Sequence, residues 1–130
     1  MRISIGSDHG GFAYKEELVK YLKELGHEVV DCGTYSLDSC DYPDFAYEAA
    51  SLVSKGEVER GIVVCTSGEG VCITANKLKG VRCGLIYNEE VSKLTRQHNN
   101  CNMVSFGAKF VSLDNVKAWT AETPNLYKLL

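Results

Sequence analysis

Long apolar runs, a surplus of basic residues and paired-cysteine motifs are all missing from this chain, and each absence removes a class of function. No stretch approaches the ~20 apolar residues that a membrane-spanning helix needs. The start, Met1-Arg-Ile-Ser-Ile-Gly6, has neither an apolar signal core nor a cleavage site. Fourteen basic side chains against seventeen acidic ones leave a net charge of −3. No global field therefore draws nucleic acid or anionic lipid, and an anionic ligand needs a local cationic pocket. Among six cysteines (Cys32, Cys40, Cys65, Cys72, Cys83 and Cys101) there is no C-x-x-C, which removes zinc-ribbon and thioredoxin readings. The expectation is a cytoplasmic protein with reduced thiols, most of them small buried hydrophobes, and with neither a nucleic-acid nor a membrane partner. With only two prolines and 45% hydrophobic residues, the 130 residues read as one compact domain, 1–130.

What is present is an alternation of short β-rich runs and amphipathic stretches. Residues 3–5 predict a strand, and Leu18, Leu22 and Leu25 recur at helical spacing until Gly26 stops the helix. Further strands are expected over 28–32, 62–65, 81–87 and 103–106. Helices are expected from Pro43 to Val53, over 70–78, over 89–97 behind an Asn88 cap, and from Ser112 or Asp114 to just before Pro124. Parallel strands need crossover connections. This order therefore predicts an α/β protein with a three-layer, Rossmann-like fold and a five-stranded parallel sheet. Ligands of such sheets bind at the carboxyl ends of the strands. The loops expected there are 7–11, 66–70 and 107–109, and the region around His98–Asn102 is grouped with them.

The first of these loops, Gly6-Ser-Asp-His-Gly-Gly11, fails as a dinucleotide fingerprint because Asp8 stands at the second glycine position. Asp8 and His9 read instead as a polar pair over a sugar, with Asp8 also suited to cap the turn that follows. In the second, Ile62-Val-Val-Cys-Thr-Ser-Gly-Glu-Gly70, a cysteine ends a buried strand and a glycine loop opens a helix. Backbone N–H groups of such a loop stabilise negative charge, and a thiol beside them suits a base or nucleophile. Rival motifs fail by position. C-x5-R needs arginine where Val71 stands, G-x-G-x-x-G needs glycine where Ile73 stands, and G-x-S-x-G needs glycine where Cys65 stands. Taken alone, a strand-end cysteine is more often a packing residue than a catalytic one, and the glycine loop after Cys65 brings the two readings level. His98 closes a helix beside Asn99, Asn100 and Asn102, side chains suited to hydroxyl-rich ligands.

Together with Gly33-Thr34, Asp41-Tyr-Pro43, Ala75-Asn-Lys77, Gly80-Val-Arg82 and Arg96-Gln-His-Asn99, these motifs resemble, in order from residue 1 to about 122, the ribose-5-phosphate isomerase B and galactose-6-phosphate isomerase family. The resemblance implies a metal-free, cofactor-free aldose–ketose isomerase acting on a sugar phosphate, a homodimer or homotetramer with its site between subunits. It implies Cys65 as the base between C1 and C2. Thr66, Ser67, Gly68, Glu69 and Gly70 become the anion hole, and His98 the acid that opens the furanose ring. Asn99, Asp8 and His9 become sugar or phosphate contacts, and Lys109 stands where the family often has a phosphate-binding arginine. Three departures stand out: Thr66 replaces a usual glycine, Glu69 a usually uncharged residue, and the family's C-terminal Gly-Gly-Arg-His-x-x-Arg segment is missing after about residue 122. A galactose-6-phosphate isomerase-type subunit, or a catalytically weak phosphosugar-binding relative, are the alternatives these departures favour.

Overall fold

The computed structural model describes residues 1–129, with side chains described through Ala121. Five parallel strands alternate with five helices. They run β1 (Arg2–Ser7), α1 (Phe12–Glu24), β2 (Glu28–Asp31), α2 (Tyr42–Ser54), β3 (Arg60–Cys65), α3 (Glu69–Ala75), β4 (Cys83–Leu85), α4 (Glu89–Gln97), β5 (Met103–Gly107) and α5 (Leu113–Leu129), with a 3-10 turn His9–Gly11 before α1. The sheet order is β2-β1-β3-β5-β4. The chain leaves β1 towards one edge and returns to build β3 on its other side, so the switch point lies between β1 and β3, where ligands of open sheets bind.

Strand periodicity explains why helices cover both faces. In β3, Val63 and Cys65 face a core that includes Ala46, Ala49, Ala50 and Val53 of α2 with Val71 and Ala75 of α3. Ile62 and Val64 point the other way, into Leu18 and Leu22 of α1 and Val116 and Trp119 of α5. All six residues of β3 are buried, as a central parallel strand requires. The alanines of α2 let that helix lie close to the sheet. Burying an apolar side chain in either layer is worth ~1.5–3 kcal/mol, so the two cores hold the strand ends in fixed register.

The predicted elements form in the predicted order, with three differences. Strand β4 is only Cys83–Leu85, not 81–87, because an edge strand has one neighbour and pairs with β5 over three residues. Helix α3 closes at Ala75, short of 78, in turns that donate Leu78 N–H to Ala75 O. Helix α5 does not stop before Pro124 but runs on to Leu129. A proline inside a helix removes one backbone bond, which weakens a helix without always ending it. Asn88 caps α4 as expected, its Oδ1 accepting from Val91 N–H at 2.8 Å.

Candidate active site at the sheet switch point

Cys65 is the last residue of β3 and is 5% exposed. Its sulfur accepts the Gly68 N–H at 3.1 Å, so the loop curls back over the thiol that begins it. That curl depends on Gly68, which sits in the left-handed region at φ 80°. A Cβ there would lie 2.7 Å from Leu85 Cδ1 and 2.8 Å from the Phe106 carbonyl carbon. Gly68→Ala is therefore expected to cost roughly 2–4 kcal/mol of stability, from backbone strain plus overpacking. Denaturant unfolding measures it, and a loss below about 0.5 kcal/mol would show the loop to be less constrained than this.

Three loops converge on this point. Lys109 N–H donates to Thr66 O at 3.1 Å and Ala108 N–H to Cys65 O at 2.9 Å, tying the turn after β5 to the loop after β3. Asp8 N–H donates to Val64 O at 3.3 Å. The Thr66 hydroxyl fills the space beside Gly10, where a side chain would collide with it. Asp8 is buried, and its Oδ1 accepts the Gly11 N–H at 3.1 Å, so the capping role is real and one carboxylate oxygen is committed to it. Glu69 N–H donates to Ser67 Oγ at 3.2 Å. The Glu69 side chain is exposed in the first turn of α3, where the helix dipole favours an acid. The Lys109 ammonium lies over the Phe110 ring, 5.9 Å from its centre. An open cleft of about 260 Å³ runs on from Ser67 and Glu69 past Tyr87 and Phe110.

Thus Asp8, His9, Cys65, Thr66, Ser67, Gly68, Glu69, Gly70 and Lys109 share the carboxyl edge of the sheet. His98 and Asn99 do not. They close α4, which runs antiparallel to the strands, and lead into β5 rather than out of it. Asn102 O accepts from Gly61 N–H and Asn102 N–H donates to Arg82 O, which fixes this region against the starts of β3 and β4. Gly61 and Cys65 are four residues apart along a strand, roughly 13 Å. Grouping His98–Asn102 with the carboxyl-end loops is therefore corrected: within one chain the imidazole and the thiol lie at opposite edges.

Two features had no signal of their own in the sequence. The Tyr42 ring closes over Gly70, where a Cβ would lie 2.6 Å from its Cε1; the Asp41-Tyr-Pro43 motif marked the place but not the role. The Cys40 N–H donates to His9 Nδ1 at 3.2 Å, a contact between segments 31 residues apart. Elsewhere, Cys72 on α3 hydrogen-bonds the Cys83 carbonyl at 3.4 Å. Its pKa is lowered to about 6, chiefly by hydrogen bonding to the Cys83 thiol and also by Asn76. The Cys83 thiol is pushed well up in turn, by that same bond and by burial. Among the described residues, no group of three or more His, Cys, Asp or Glu side chains gathers to hold a metal ion.

A buried thiol at the switch point of a parallel sheet, with a glycine loop curled over it and Asp8 and His9 following the adjacent strand, defines an α/β protein with a candidate site for a small polar ligand. The family model described as Ribose/Galactose Isomerase matches residues 3–123. The chain is 42% identical to ribose-5-phosphate isomerase B of Escherichia coli, over 89% of this chain and 78% of that protein. Among solved structures, ribose-5-phosphate isomerase B of Clostridium thermocellum superposes with a TM-score of 0.89 at 40% identity, over 98% of this chain and 84% of that one. The Mycoplasma genitalium enzyme with bound ribulose-5-phosphate gives 0.91 at 37% identity, over 95% and 82%. The chain belongs to the ribose/galactose isomerase family.

Proposed function

We propose that this protein interconverts ribose 5-phosphate and ribulose 5-phosphate. The observation that carries the reading is Cys65, held at the end of β3 by the loop it begins, in a chain 42% identical to a ribose-5-phosphate isomerase B. In the open-chain aldose, the Cys65 thiolate takes the proton from C2. The resulting enediolate carries negative charge on its oxygens, beside the 66–70 loop whose backbone and Ser67 hydroxyl are the donors. The same sulfur returns the proton to C1 while the O2 proton passes to O1 across the cis-enediolate, giving the ketose. One base suffices because C1 and C2 are neighbours and the thiol is placed between them.

His98 and Asn99 enter from a second copy of the chain, with His98 protonating the ring oxygen as the furanose opens. What supports a site shared between copies is the distance between the two edges of the sheet. Tyr47 and Ile73, on the packed helices α2 and α3, are also 58% and 59% exposed, which leaves apolar surface for a partner copy. The functional unit is a homodimer or a pair of them. Among the described residues, no helix is long and apolar enough to cross a membrane. Six free thiols suit a reducing compartment, and the reading places the enzyme in the cytoplasm.

The phosphate is held by His9 and Lys109. The test is ketose formation from ribose 5-phosphate, with galactose 6-phosphate assayed in parallel because the family model spans both sugars. Turnover of the pentose phosphate is expected. Binding of either sugar phosphate without turnover would make the chain a binding relative instead. Lys109→Ala should weaken ribose 5-phosphate binding about ten- to a hundred-fold, the worth of one charge-assisted contact. Binding of unphosphorylated ribose should not move, and an unchanged affinity for the phosphate would remove Lys109 from the site.

A further inference from the structure

Lys15 is fully buried, and the mechanism above makes no use of it. A lysine is almost never fully buried unless paired. Here the ammonium donates to both carboxylate oxygens of Asp31, at 2.9 and 2.8 Å, and to Glu16 Oε1 at 2.8 Å. It also faces the rings of Phe12 and Tyr35, 5.6 and 5.4 Å from their centres. Asp31 ends β2, and its Oδ1 accepts the Gly33 N–H at 2.9 Å. The Tyr35 hydroxyl donates to Asp31 O at 2.9 Å. Lys15 therefore grips the root of the 33–41 segment on both sides, through Asp31 and through the Tyr35 ring.

That root is itself bonded to the active-site strand. Ser7 N–H donates to Gly33 O and Thr34 N–H donates to Ser7 O, both at 2.7 Å. From there the segment passes over the carboxyl edge until Cys40 N–H meets His9 Nδ1. A ring nitrogen that accepts an N–H carries no proton, so the His9 proton sits on Nε2. The tautomer matters because only Nε2–H can then donate to a substrate oxygen.

We propose that Lys15 is a positioning residue for His9: by clamping Asp31 and Tyr35 it fixes the 33–41 segment, whose Cys40 N–H sets the His9 tautomer and aims Nε2–H at the substrate. The kinetic part of this inference rests on His9 being a substrate contact, whereas the tautomer part does not.

The experiment is 15N NMR of histidine-labelled protein at alkaline pH, with the signals of His9, His27 and His98 assigned by single substitution. In the wild type, His9 should show a bare Nδ1 and a protonated Nε2. Lys15→Met keeps the length and the contact with both rings but loses the clamp. It should drive His9 to a mixture of tautomers and raise KM for ribose 5-phosphate about ten-fold, the worth of one hydrogen bond to a charged group, with kcat within about two-fold. Cys40→Pro deletes the donor without touching the core and should give the same His9 signature, whereas Cys40→Ala keeps the N–H and the wild-type tautomer. Thermal unfolding of each variant separates stability from positioning. A Lys15→Met protein that melts earlier but keeps the wild-type His9 signals and KM overturns the proposal and leaves Lys15 a structural ion pair. Should Lys15→Met fail to fold, Cys40→Pro with unshifted His9 signals overturns it equally. A changed tautomer with unchanged KM upholds the positioning and removes His9 from the substrate site instead.

Discussion

Cys65→Ala should lower kcat on ribose 5-phosphate by about a thousand-fold while leaving the protein folded, which is the loss typical of removing a positioned general base. The side chain is buried, so its truncation also carries a core penalty of about 1 kcal/mol, which for a domain of this size moves Tm by about 3–5 °C. The two effects separate cleanly. Circular dichroism and thermal unfolding report the second, and steady-state ketose formation reports the first. Ribose 5-phosphate should still bind, because His9 and Lys109 are untouched and the 66–70 loop, though it loses the Gly68 N–H to sulfur bond, stays tied to the turn after β5 through Lys109 N–H and Thr66 O. A variant that keeps most of its kcat would exclude Cys65 as the base and turn attention to Glu69, exposed on the same loop.

Cys72 makes that comparison sharper. It is the thiol whose pKa is drawn down to about 6, by the hydrogen bond with Cys83 above all, so it is largely thiolate at neutral pH. Location decides against it. Its sulfur lies between α3 and β4, bonded to the Cys83 carbonyl and the Asn76 amide, whereas the Cys65 sulfur is the one that takes an N–H of the 66–70 loop. A base must reach the proton it takes, within a hydrogen bond or one water of it. Cys72→Ala should therefore keep its rate within about three-fold, since geometry comes before pKa in choosing a base.

The sheet and the thiol loop were legible because their signals are local. Leu18 and Leu22 recur one helical turn apart and are both fully buried, and the short unbroken run 62–65, rich in β-branched residues, reads as a strand covered on both faces. Cys65 followed by Gly68 and Gly70 marks a strand end and a helix start within six residues. The short β4 was overestimated because composition shows β propensity but not how many neighbours a strand will have. The grouping of His98 with the carboxyl-end loops fails because residues that precede a parallel strand stand at its amino end, as the element order alone requires. The Cys40–His9 contact and the clamp at Lys15 were not legible at all. Each joins residues 16 or 31 positions apart, and no periodicity announces such a pairing. A lysine on an amphipathic helix reads as solvated until the fold brings an aspartate to it.

Two inactive variants should restore each other. In the dimer proposed above, each site takes Cys65 from one copy and His98 from the other. Cys65→Ala should be inactive for want of a base, and His98→Asn should be inactive on the closed furanose for want of a ring-opening acid. In a mixed dimer one site loses both groups, and the second site regains both, Cys65 from one chain and His98 from its neighbour. Random reassortment of equal amounts makes half of the dimers mixed, and one of the two sites in each is whole. The mixture should therefore recover about a quarter of wild-type activity, as two-fold symmetry dictates. Subunits are mixed under mild denaturant, returned to buffer and assayed on cyclic ribose 5-phosphate beside each variant refolded alone. His98→Asn alone should retain turnover of an acyclic aldose phosphate, because proton transfer between C1 and C2 does not involve the ring oxygen. If the thiol and the imidazole served one site within a single chain, every site in the mixture would lack one of them and no activity would return. The separation of Cys65 and His98 to opposite edges of the sheet argues for recovery, since roughly 13 Å of strand is too far for one pentose to bridge with its C2 at the thiol and its ring oxygen at the imidazole.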